Sequence, residues 1–444
     1  MSTATRTRSG RTPARAPGTS RRQHRNGTAA AVPHAVPTAT TLRPLSRTSR
    51  VGPLELRQLF LVEAGLALAA VGVALGGLWL IPTCSVGALL MLLAVIRRRG
   101  HALPDWLATI AALRSRRRAS APAASDVDAS LAPVVEGVPG LRAFAYVDRK
   151  RRTVGMLGDG TFLTAVVRVE ASGAALRPAS GARALPLSLL GDALEVDDIV
   201  LESAQLVQQV RSAPAPHLPQ QSVARLSYAP LQERTGAPAL RMTWVAVKLD
   251  PELCREAIEA RGGGLEGAQR CLVRMADHVA SRITGAGFQA TVLDQEELNS
   301  TMATAACASP RVSARPGGPD GVQQRRTAET ARVWRCDDRW HTTYAVGRWP
   351  ELGRGATPLP KLVALLTSAP AYATTFSLTV RRGTRQGTID VGGHVRVTGG
   401  SDTELVGVRR VLEQAARSAK VGLVRLDREQ LPGVLATMPL GGAR

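Results

Sequence analysis

Hydrophobic and polar positions divide this chain of 444 residues into segments of different character. The longest apolar run covers residues 59–96 and contains one charged side chain, Glu63. A helix that crosses a bilayer needs about 20 residues, so this run has the length of two such helices. Gly76-Gly77 divides the run, because two adjacent glycines favour a turn over a continuous helix. The pattern therefore predicts a transmembrane hairpin with spans at 59–75 and 78–96.

Positive charge is concentrated on both sides of this apolar run. The formal net charge of the chain is +22, of which the first 118 residues hold +15. Arginine-rich flanks stay on the cytoplasmic side of a membrane. We therefore expect a multi-pass protein of the inner (plasma) membrane with both termini in the cytosol. A cleaved signal peptide would begin near Met1 and would be shorter, whereas a buried helical hairpin of a soluble protein stays open as an alternative.

The segments that flank the predicted hairpin are polar and basic. Residues 1–50 are rich in Arg, Thr, Ala, Pro and Ser without an apolar period, which predicts a disordered tail. Residues 99–130 predict a basic juxtamembrane helix and a linker, with Trp106 suited to the headgroup region. Both segments are expected to contact anionic lipid headgroups. A nucleic-acid-binding arm is the alternative for the tail, but no aromatic side chain interrupts it to stack bases, so nucleic acid is not an expected partner.

The remainder of the chain alternates between strand-like and helix-like patterns. Two apolar runs joined at Gly158–Gly160 predict a β-hairpin, and residues 239–250 predict a further strand. Helices at 265–287 and 294–306 enclose a strand at 288–294, an order typical of an α/β (α+β) fold with strands paired across a helical layer. Six segments are predicted in all, and they are a tail at 1–50, the transmembrane hairpin at 51–98, the juxtamembrane helix and linker at 99–130, a cytosolic lobe at 131–307, a Pro/Gly/Arg-rich loop at 308–326 and a second cytosolic lobe at 327–444.

The sharpest candidate for a ligand site is a glycine-rich turn. Residues 262–267 read GGGLEG, which satisfies the GxGxxG pattern of dinucleotide-binding folds. That pattern requires a strand directly before the first glycine, and here a helix intervenes. The favoured interpretation is a helix end followed by a flexible turn.

Other chemically active side chains are scattered. The pair Asp197-Asp198 could be a metal-binding site of a transferase, but adjacent strand positions point to opposite faces. His341 is expected to be an ordinary strand residue, and Trp334, Trp340 and Trp349 are expected to pack in one hairpin, with an exposed docking surface as the alternative. The five cysteines show no CxxC spacing, and the sequence has no GxxxxGK[ST] or HExxH motif. The sequence thus assigns no catalytic residue, cofactor-binding residue or metal ligand.

Several stretches of the sequence carry a family resemblance. The most specific is LRMTWVAVKLDPELCREAIEARGGGLEGAQR with TGAGFQATVLD after it. The others are RVGPLELRQLFLVE, RRRGHALPDWL, VGMLGDGTFLTAVVRVE and WRCDDRWHTTYAVGRWP. Together these stretches resemble the EccE component of type VII (ESX) secretion systems of actinobacteria.

The resemblance implies a non-catalytic membrane subunit without a cofactor, which stabilises or braces an inner-membrane translocon. Its expected partners are EccB-, EccC- and EccD-like subunits in a multimeric hetero-complex, together with the bilayer. A membrane-tethered enzyme, such as a nucleotide-sugar transferase that uses the glycine turn, is the alternative. An open concave pocket at residues 262–267 would favour the enzyme, and a turn filled by packed helices would argue against it.

Overall fold

The computed structural model describes most of the chain from residue 41 onwards, and the predicted tail at 1–50 lies almost wholly outside the described residues. The described ranges are 41–44, 50–51, 54–77, 80–95, 97–98, 101–124, 126–171, 184–212, 221–223, 226–227, 230, 240–314, 324–351, 358–383 and 388–442. Residues 40–444 form one compact unit.

The N-terminal part of this unit consists of short strands and three helices. The strands are β1 (Thr41–Pro44), β2 (Arg50–Val51), β3 (Leu54–Glu55), β4 (Arg97–Arg98) and β5 (His101–Ala102). The helices are α1 (Leu56–Leu75), α2 (Leu80–Val95) and α3 (Leu103–Ala119). The predicted turn is present, because α1 ends directly before Gly76-Gly77 and both glycines have positive φ.

The predicted transmembrane hairpin at 51–98 is nevertheless wrong. Within the described residues, no helix combines the length and the apolar character that crossing a bilayer requires. Helix α2 has 16 residues, which is about 24 Å at 1.5 Å per residue and less than the roughly 30 Å of a hydrocarbon core. Helix α1 has 20 residues but includes Arg57 and Glu63. The predicted multi-pass topology loses its basis with the two spans.

The first half of the large sheet and its helices, hereafter the N-half, covers residues 142–306. A short helix, α4 (Ala132–Val135), precedes it. Its strands are β6 (Arg142–Val147), β7 (Thr153–Gly158), β8 (Leu163–Ala171), β9 (Glu195–Val196), β10 (Ile199–Val200), β11 (Ser203–Arg211), β12 (Leu240–Leu249) and β13 (Phe288–Val292). Its helices are α5 (Ser188–Asp192), α6 (Arg255–Glu259), α7 (Gly264–Gly285) and α8 (Gln295–Ala306), with a 3-10 turn at Pro251–Cys254.

The second half, hereafter the C-half, covers residues 327–436 and follows the short helix α9 (Pro310–Ser313). Its strands are β14 (Thr327–Glu329), β15 (Trp334–Cys336), β16 (Arg339–Arg348), β17 (Ala373–Arg382), β18 (Thr388–Gly399) and β19 (Gly422–Arg425). Its helices are α10 (Leu359–Leu366), α11 (Asp402–Ser418) and α12 (Gln430–Ala436). The N-cap of α11 is Ser401, whose hydroxyl accepts from Glu404 N.

One sheet runs through both halves. Its strand order is β14-β15-β16-β18-β17-β11-β12-β8-β7-β6, and β13 and β19 extend it beside β8 and β16. Among the described strands of this sheet, every pair is antiparallel except β1 with β18. The α/β expectation is therefore corrected to α+β. Strand β13 returns beside β8 in antiparallel direction after α7, so the helix does not connect two parallel neighbours.

The two halves repeat one order of elements. Each has three antiparallel strands, a short helix, a pair of long strands, a long helix, a short strand and a final helix. The N-half has two additions to this order, which are the short strands β9 and β10 before the long pair, and the 3-10 turn with α6 after that pair. The strand neighbours are also equivalent, since β13 pairs with β8 as β19 pairs with β16. The halves meet where their equivalent strands β11 and β17 pair antiparallel, with Leu206 opposite Leu378. Their standing as separate lobes stays a prediction, because they share this sheet.

Helices cover both faces of the sheet. Buried side chains of α5, α6, α7, α10 and α11 form a single apolar cluster with one face. Helices α4, α8 and α12 form a second cluster with the other face. The amphipathic patterns of α7 and α11 explain their position, since apolar side chains such as Leu272, Met275 and Val279 recur at helical spacing and are buried.

Candidate functional site

The glycine-rich turn is filled by protein groups. Gly262, Gly263 and Gly264 all have positive φ and join α6 to α7. A Cβ atom at Gly267 would lie 2.5 Å from Ile258 O, so the first turn of α7 packs directly on the end of α6. The guanidinium of Arg270 donates to Arg261 O at 2.6 Å and lies over Gly262. This geometry agrees with a helix end and turn, and it offers no open cradle for a pyrophosphate.

The acidic side chains at 197 and 198 lie in the turn between β9 and β10 and bind two arginines of the region of α6 and α7. Asp197 and Asp198 lie between β9 and β10 rather than within a strand, so the strand argument for their side chains does not apply. Asp198 accepts two hydrogen bonds from Arg261, each of 2.7 Å. These bonds from Arg261 hold the pKa of the Asp198 carboxyl below its usual value. Asp197 accepts from Arg274 on α7, so both carboxylates are partners of arginines, with Arg261 in the turn between α6 and α7.

His341 is a buried strand residue, as the sequence predicted. Its Nδ1 lies 3.0 Å from the hydroxyl of Thr398 on β18, and burial lowers its pKa well below the ordinary value. The ring of Trp334 lies 5.0 Å from the ring of His341. Trp334 belongs to the cluster with α8 and α12, whereas Trp340 and Trp349 pack against the cluster on the opposite face. The three tryptophans thus pack on the two opposite faces of the sheet.

The cysteines of the sheet domain are buried and have no disulfide partner among the described residues. Burial raises the pKa of Cys271 to about 11 and raises that of Cys336 as well, so neither thiol is poised as a nucleophile. In the described part of the chain, no group of three or more His, Cys, Asp or Glu side chains could hold a metal ion.

The end of α3 is held on the edge of the sheet by a clamp of charged groups. Arg116 donates to both carboxylate oxygens of Glu329 at 3.0 Å, and to Arg428 O at 2.6 Å. Arg117 Nε donates to Glu329 O at 2.9 Å. The guanidinium of Arg428 lies 5.2 Å above the ring of Trp106 on the same helix. Side chains that the sequence assigned to lipid headgroups therefore contact the protein's own sheet.

The clamp also closes the outer edge of β14. Asp337 N donates to Arg326 O, and alternation in an antiparallel pair then turns Thr327 and Glu329 outward. Thr327 N donates to the buried carboxylate of Glu136 at 2.8 Å, and Glu329 O accepts from Arg117. The sequence did not indicate this arrangement, because Arg116 and Glu329 are 213 positions apart.

Helices α1 and α2 pack through small residues and expose apolar side chains. A Cβ atom at Gly65 would lie 2.9 Å from Gly87 O, and one at Gly87 would lie 2.7 Å from Gly65 O. Such close backbone approach requires glycine on both helices. The outer faces carry exposed large apolar side chains, namely Phe60, Leu66, Val71, Val73 and Leu75 on α1 and Ile81, Val86, Leu89 and Leu92 on α2.

The segment after α12 crosses from the C-half to the strands of the N-half. Ser203 Oγ donates to Gly441 O at 2.6 Å, and Gly441 N donates to Gln205 Oε1 at 2.9 Å. Gln205 and Ser377 both donate to Ala436 O, at 2.8 and 2.7 Å. These polar side chains are buried, and each needs a partner there because an unpaired buried donor is costly. The halves are therefore fastened by more than the pairing of β11 with β17.

Two comparisons with known proteins agree with this description. Residues 237–346, which extend from β12 into β16, match a family model described as "Putative type VII ESX secretion system translocon, EccE". The ESX-1 secretion system protein EccE1 of Mycolicibacterium smegmatis is 26% identical over 246 residues, which are 48% of this chain and 47% of that relative. The chain thus covers about half the length of this relative. Both comparisons confirm the resemblance of this chain to the EccE components of type VII secretion systems.

Proposed function

We propose that this chain is a non-catalytic subunit that braces the translocon of a type VII secretion system at the inner membrane. Its partners in this proposal are EccB-, EccC- and EccD-like subunits. The match to a translocon family supports the assignment to the complex. The filled glycine turn and the paired acidic side chains support a role without catalysis.

The observation that carries the bracing role is the clamp of α3 on the sheet. Helix α3 follows α2 after a short connection, and Arg116 and Arg117 fasten its end to Glu329. The carboxylate of Glu329 also accepts from Leu431 N at 3.0 Å, so the clamp reaches the first turn of α12. A force on α1 and α2 would pass through α3 into the sheet instead of being lost in a flexible linker.

The helix pair would supply the contact with neighbouring subunits. The exposed apolar faces of α1 and α2 are large enough to bind apolar helices of another protein. The opposite face of α3, which carries the exposed Arg114 and Arg118, would contact anionic headgroups.

Affinity purification of the full chain in a mild detergent, followed by mass spectrometry, tests this proposal. We expect to recover an FtsK/SpoIIIE-like ATPase and a many-span membrane subunit. Replacing Val73 and Ile81 by lysine should remove these partners, because buried lysines would be unpaired in the interface. Matched replacement of the exposed Arg410 and Arg417 on α11 by alanine should leave recovery of the ATPase unchanged.

A second measurement separates bracing from binding. Arg116→Ala with Arg117→Ala should keep the partners but lower secretion, and it should expose the segment between α3 and β6 to limited proteolysis. Recovery of the wild-type chain as a lone monomer would contradict membership of a complex. Turnover of a nucleotide sugar by the purified chain would contradict the non-catalytic role.

A further inference from the structure

The two outer strands of the sheet are equivalent in the repeat but differ in what covers them. Strand β14 is closed on its outer side by Glu136 and Arg117. In β6, Asp148 N donates to Arg152 O, and alternation then turns Ala143, Ala145 and Val147 outward. Within the described residues, the outward N–H and C=O groups of these three residues have no hydrogen-bond partner.

The open edge is long enough and apolar enough to accept another strand. Strand β6 has six residues, RAFAYV, whereas β14 has three. The side chain of Val147 is 59% exposed. Soluble proteins usually shorten, charge or cover such an edge, because a flat unpaired edge pairs with other chains. Here the chain covers one edge with its own helix and leaves the equivalent edge open.

Charge along this edge is unequal. The turn after β6 carries Arg149, Lys150 and Arg151, which are exposed and form no ion pair with any described residue. Near the middle of the strand, Ala145 lines a concavity whose acidic side chains are Asp128, Asp294 and Glu296. An added strand would thus meet positive charge at one end and negative charge near its centre.

We propose that β6 binds an extended segment of a partner protein as an additional antiparallel strand. Antiparallel addition places the N-terminal end of that segment beside Val147 and the basic turn. The segment would carry acidic residues at this end, and a Lys or Arg about four residues later over the acidic concavity, given the rise of about 3.4 Å per residue. Backbone hydrogen bonds would supply affinity, and the two charged positions would supply register and specificity.

A second copy of this chain fits the edge less well. Antiparallel pairing of β6 with another β6 would bring the basic turn of one copy towards Arg142 of the other. Like charges that face each other across strands are unfavourable. The only ion pair of Arg142 among the described residues is to Asp126, at 3.7 Å with both side chains largely exposed, and such a pair offsets little of that repulsion.

Fluorescence anisotropy with a labelled probe peptide tests the proposal on the full chain. The probe reads Glu-Glu-Val-Thr-Val-Lys-Val-Thr, and a second probe has the same side chains with N-methyl groups on alternate residues. The first probe should bind, and the methylated probe should bind at least about tenfold more weakly, because it cannot donate its backbone hydrogen bonds to β6. Exchange of Glu and Lys in the probe should weaken binding about fivefold and should reduce its dependence on salt.

Variants of the edge provide the matched controls. Ala145→Pro removes an outward N–H and should weaken binding about tenfold, whereas Ala145→Ser keeps that N–H and should bind like the wild type. Arg149→Glu with Lys150→Glu should weaken binding about fivefold, and the same reversal at Arg114 and Arg118 on α3 should not. Circular dichroism and thermal unfolding confirm that each variant is folded.

Three outcomes would overturn the proposal. They are absence of binding by the first probe, equal binding of the methylated probe, and equal binding by Ala145→Pro. A dimer of the wild-type chain that Ala145→Pro dissociates, measured by sedimentation, would overturn it in favour of a second copy. The partner segment is placed in the complex proposed above, but the peptide measurement uses no other subunit. The two proposals can therefore fail separately.

Discussion

The N-half and the C-half use one order of strands and helices, yet they differ at their edges and in their helical cover. The N-half adds β9, β10 and α6, and no described residue covers the outer side of its outer strand β6. The C-half has no described counterpart of α6 before α11, and its outer strand β14 is closed by α3 and Glu136. The repeated order of elements thus sets the pairing of strands in the sheet. Segments outside the repeat decide which surfaces stay available for partners.

The halves also differ in the contacts that the C-terminal end of each one makes with the other half. The segment after α12 runs deep into the interior, where Met438 is wholly buried and Leu440 nearly so. The end of α8 and the residue after it reach the C-half more briefly, where the guanidinium of Arg396 donates to Ala305 O and Cys307 Sγ lies 4.0 Å from the hydroxyl of Thr398. The final segment therefore contributes more to the union of the halves.

The prediction with the largest expected effect tests how tightly the segment after α12 is packed. Met438→Ala should lower the free energy of unfolding by about 3 kcal/mol, because it empties a buried site in the cluster of α8 and α12. Leu435→Ala, at a partly buried position on α12, should cost about 1 kcal/mol. Urea unfolding followed by circular dichroism measures both. Equal effects would show that the final segment is no better packed than the exposed side of α12.

Glycines on the two long helices should respond in opposite directions. Gly267→Ala on α7 should lower the free energy of unfolding by about 2 kcal/mol, because the new Cβ meets Ile258 O at 2.5 Å. Gly407→Ala on α11 meets no atom within 4 Å and should raise it by about 0.5–1 kcal/mol through helix propensity. Denaturant unfolding of both variants checks the signs. Stabilisation by both would contradict the tight packing of α7 on α6.

Each half buries a basic side chain, which is Lys248 on β12 in the N-half and Arg396 on β18 in the C-half. The two side chains have different partners. Lys248 Nζ lies 3.1 Å from a Glu202 carboxylate oxygen, whereas Arg396 has only oxygen atoms of Ala305 and Thr375 as described partners. Lys248→Met should cost about 2 kcal/mol, because it removes the ammonium group from its ion pair with the mostly buried Glu202 carboxylate. Arg396→Met should stay within about 1 kcal/mol of the wild type, since it removes a buried charge that has no carboxylate partner. Chemical denaturation of both variants decides between these expectations, and the reverse order would contradict them.

The last prediction concerns pH and the C-half alone. The pKa of His341 is lowered well below 6.5 in the folded protein by burial, so the unfolded chain binds more protons below pH 6.5. The free energy of unfolding should therefore stay level above that pH and should fall by about 1.4 kcal/mol per pH unit below it, until the folded pKa is reached. His341→Gln should remove this slope. Thermal unfolding at pH 5.0 and 7.5 measures it, and an identical slope in the variant would exclude His341 as its source.

Local patterns in the sequence were sufficient for many elements. The hairpin at Gly158–Gly160, the helix from Gln295 with its Asp294 cap, and the turn at Gly76-Gly77 all follow from residue types within a few positions. They succeed because turn formation, capping and amphipathic spacing are properties of neighbouring residues.

The apolar run at 59–96 shows where local reasoning failed. Its composition suits a membrane, but the helices that form are too short or carry charges. The prediction of strand direction was wrong for a related reason. No residue between α7 and β13 determines which strand β13 will pair with. The sequence could not reveal the repeat either. The two halves share the order of their strands and helices, but equivalent strands carry different side chains.

The sequence by itself determined where helices and turns begin, how charge is distributed and which family the chain resembles. The tertiary structure was needed to show that the sheet is antiparallel and continuous through both halves, and that Arg116 binds Glu329 rather than lipid. It was also needed to show that the outer side of β14 is covered, whereas no described residue covers that of β6. The physical reason is distance along the chain. Pairing between residues more than a hundred positions apart depends on the packing of whole elements, and no local pattern encodes it.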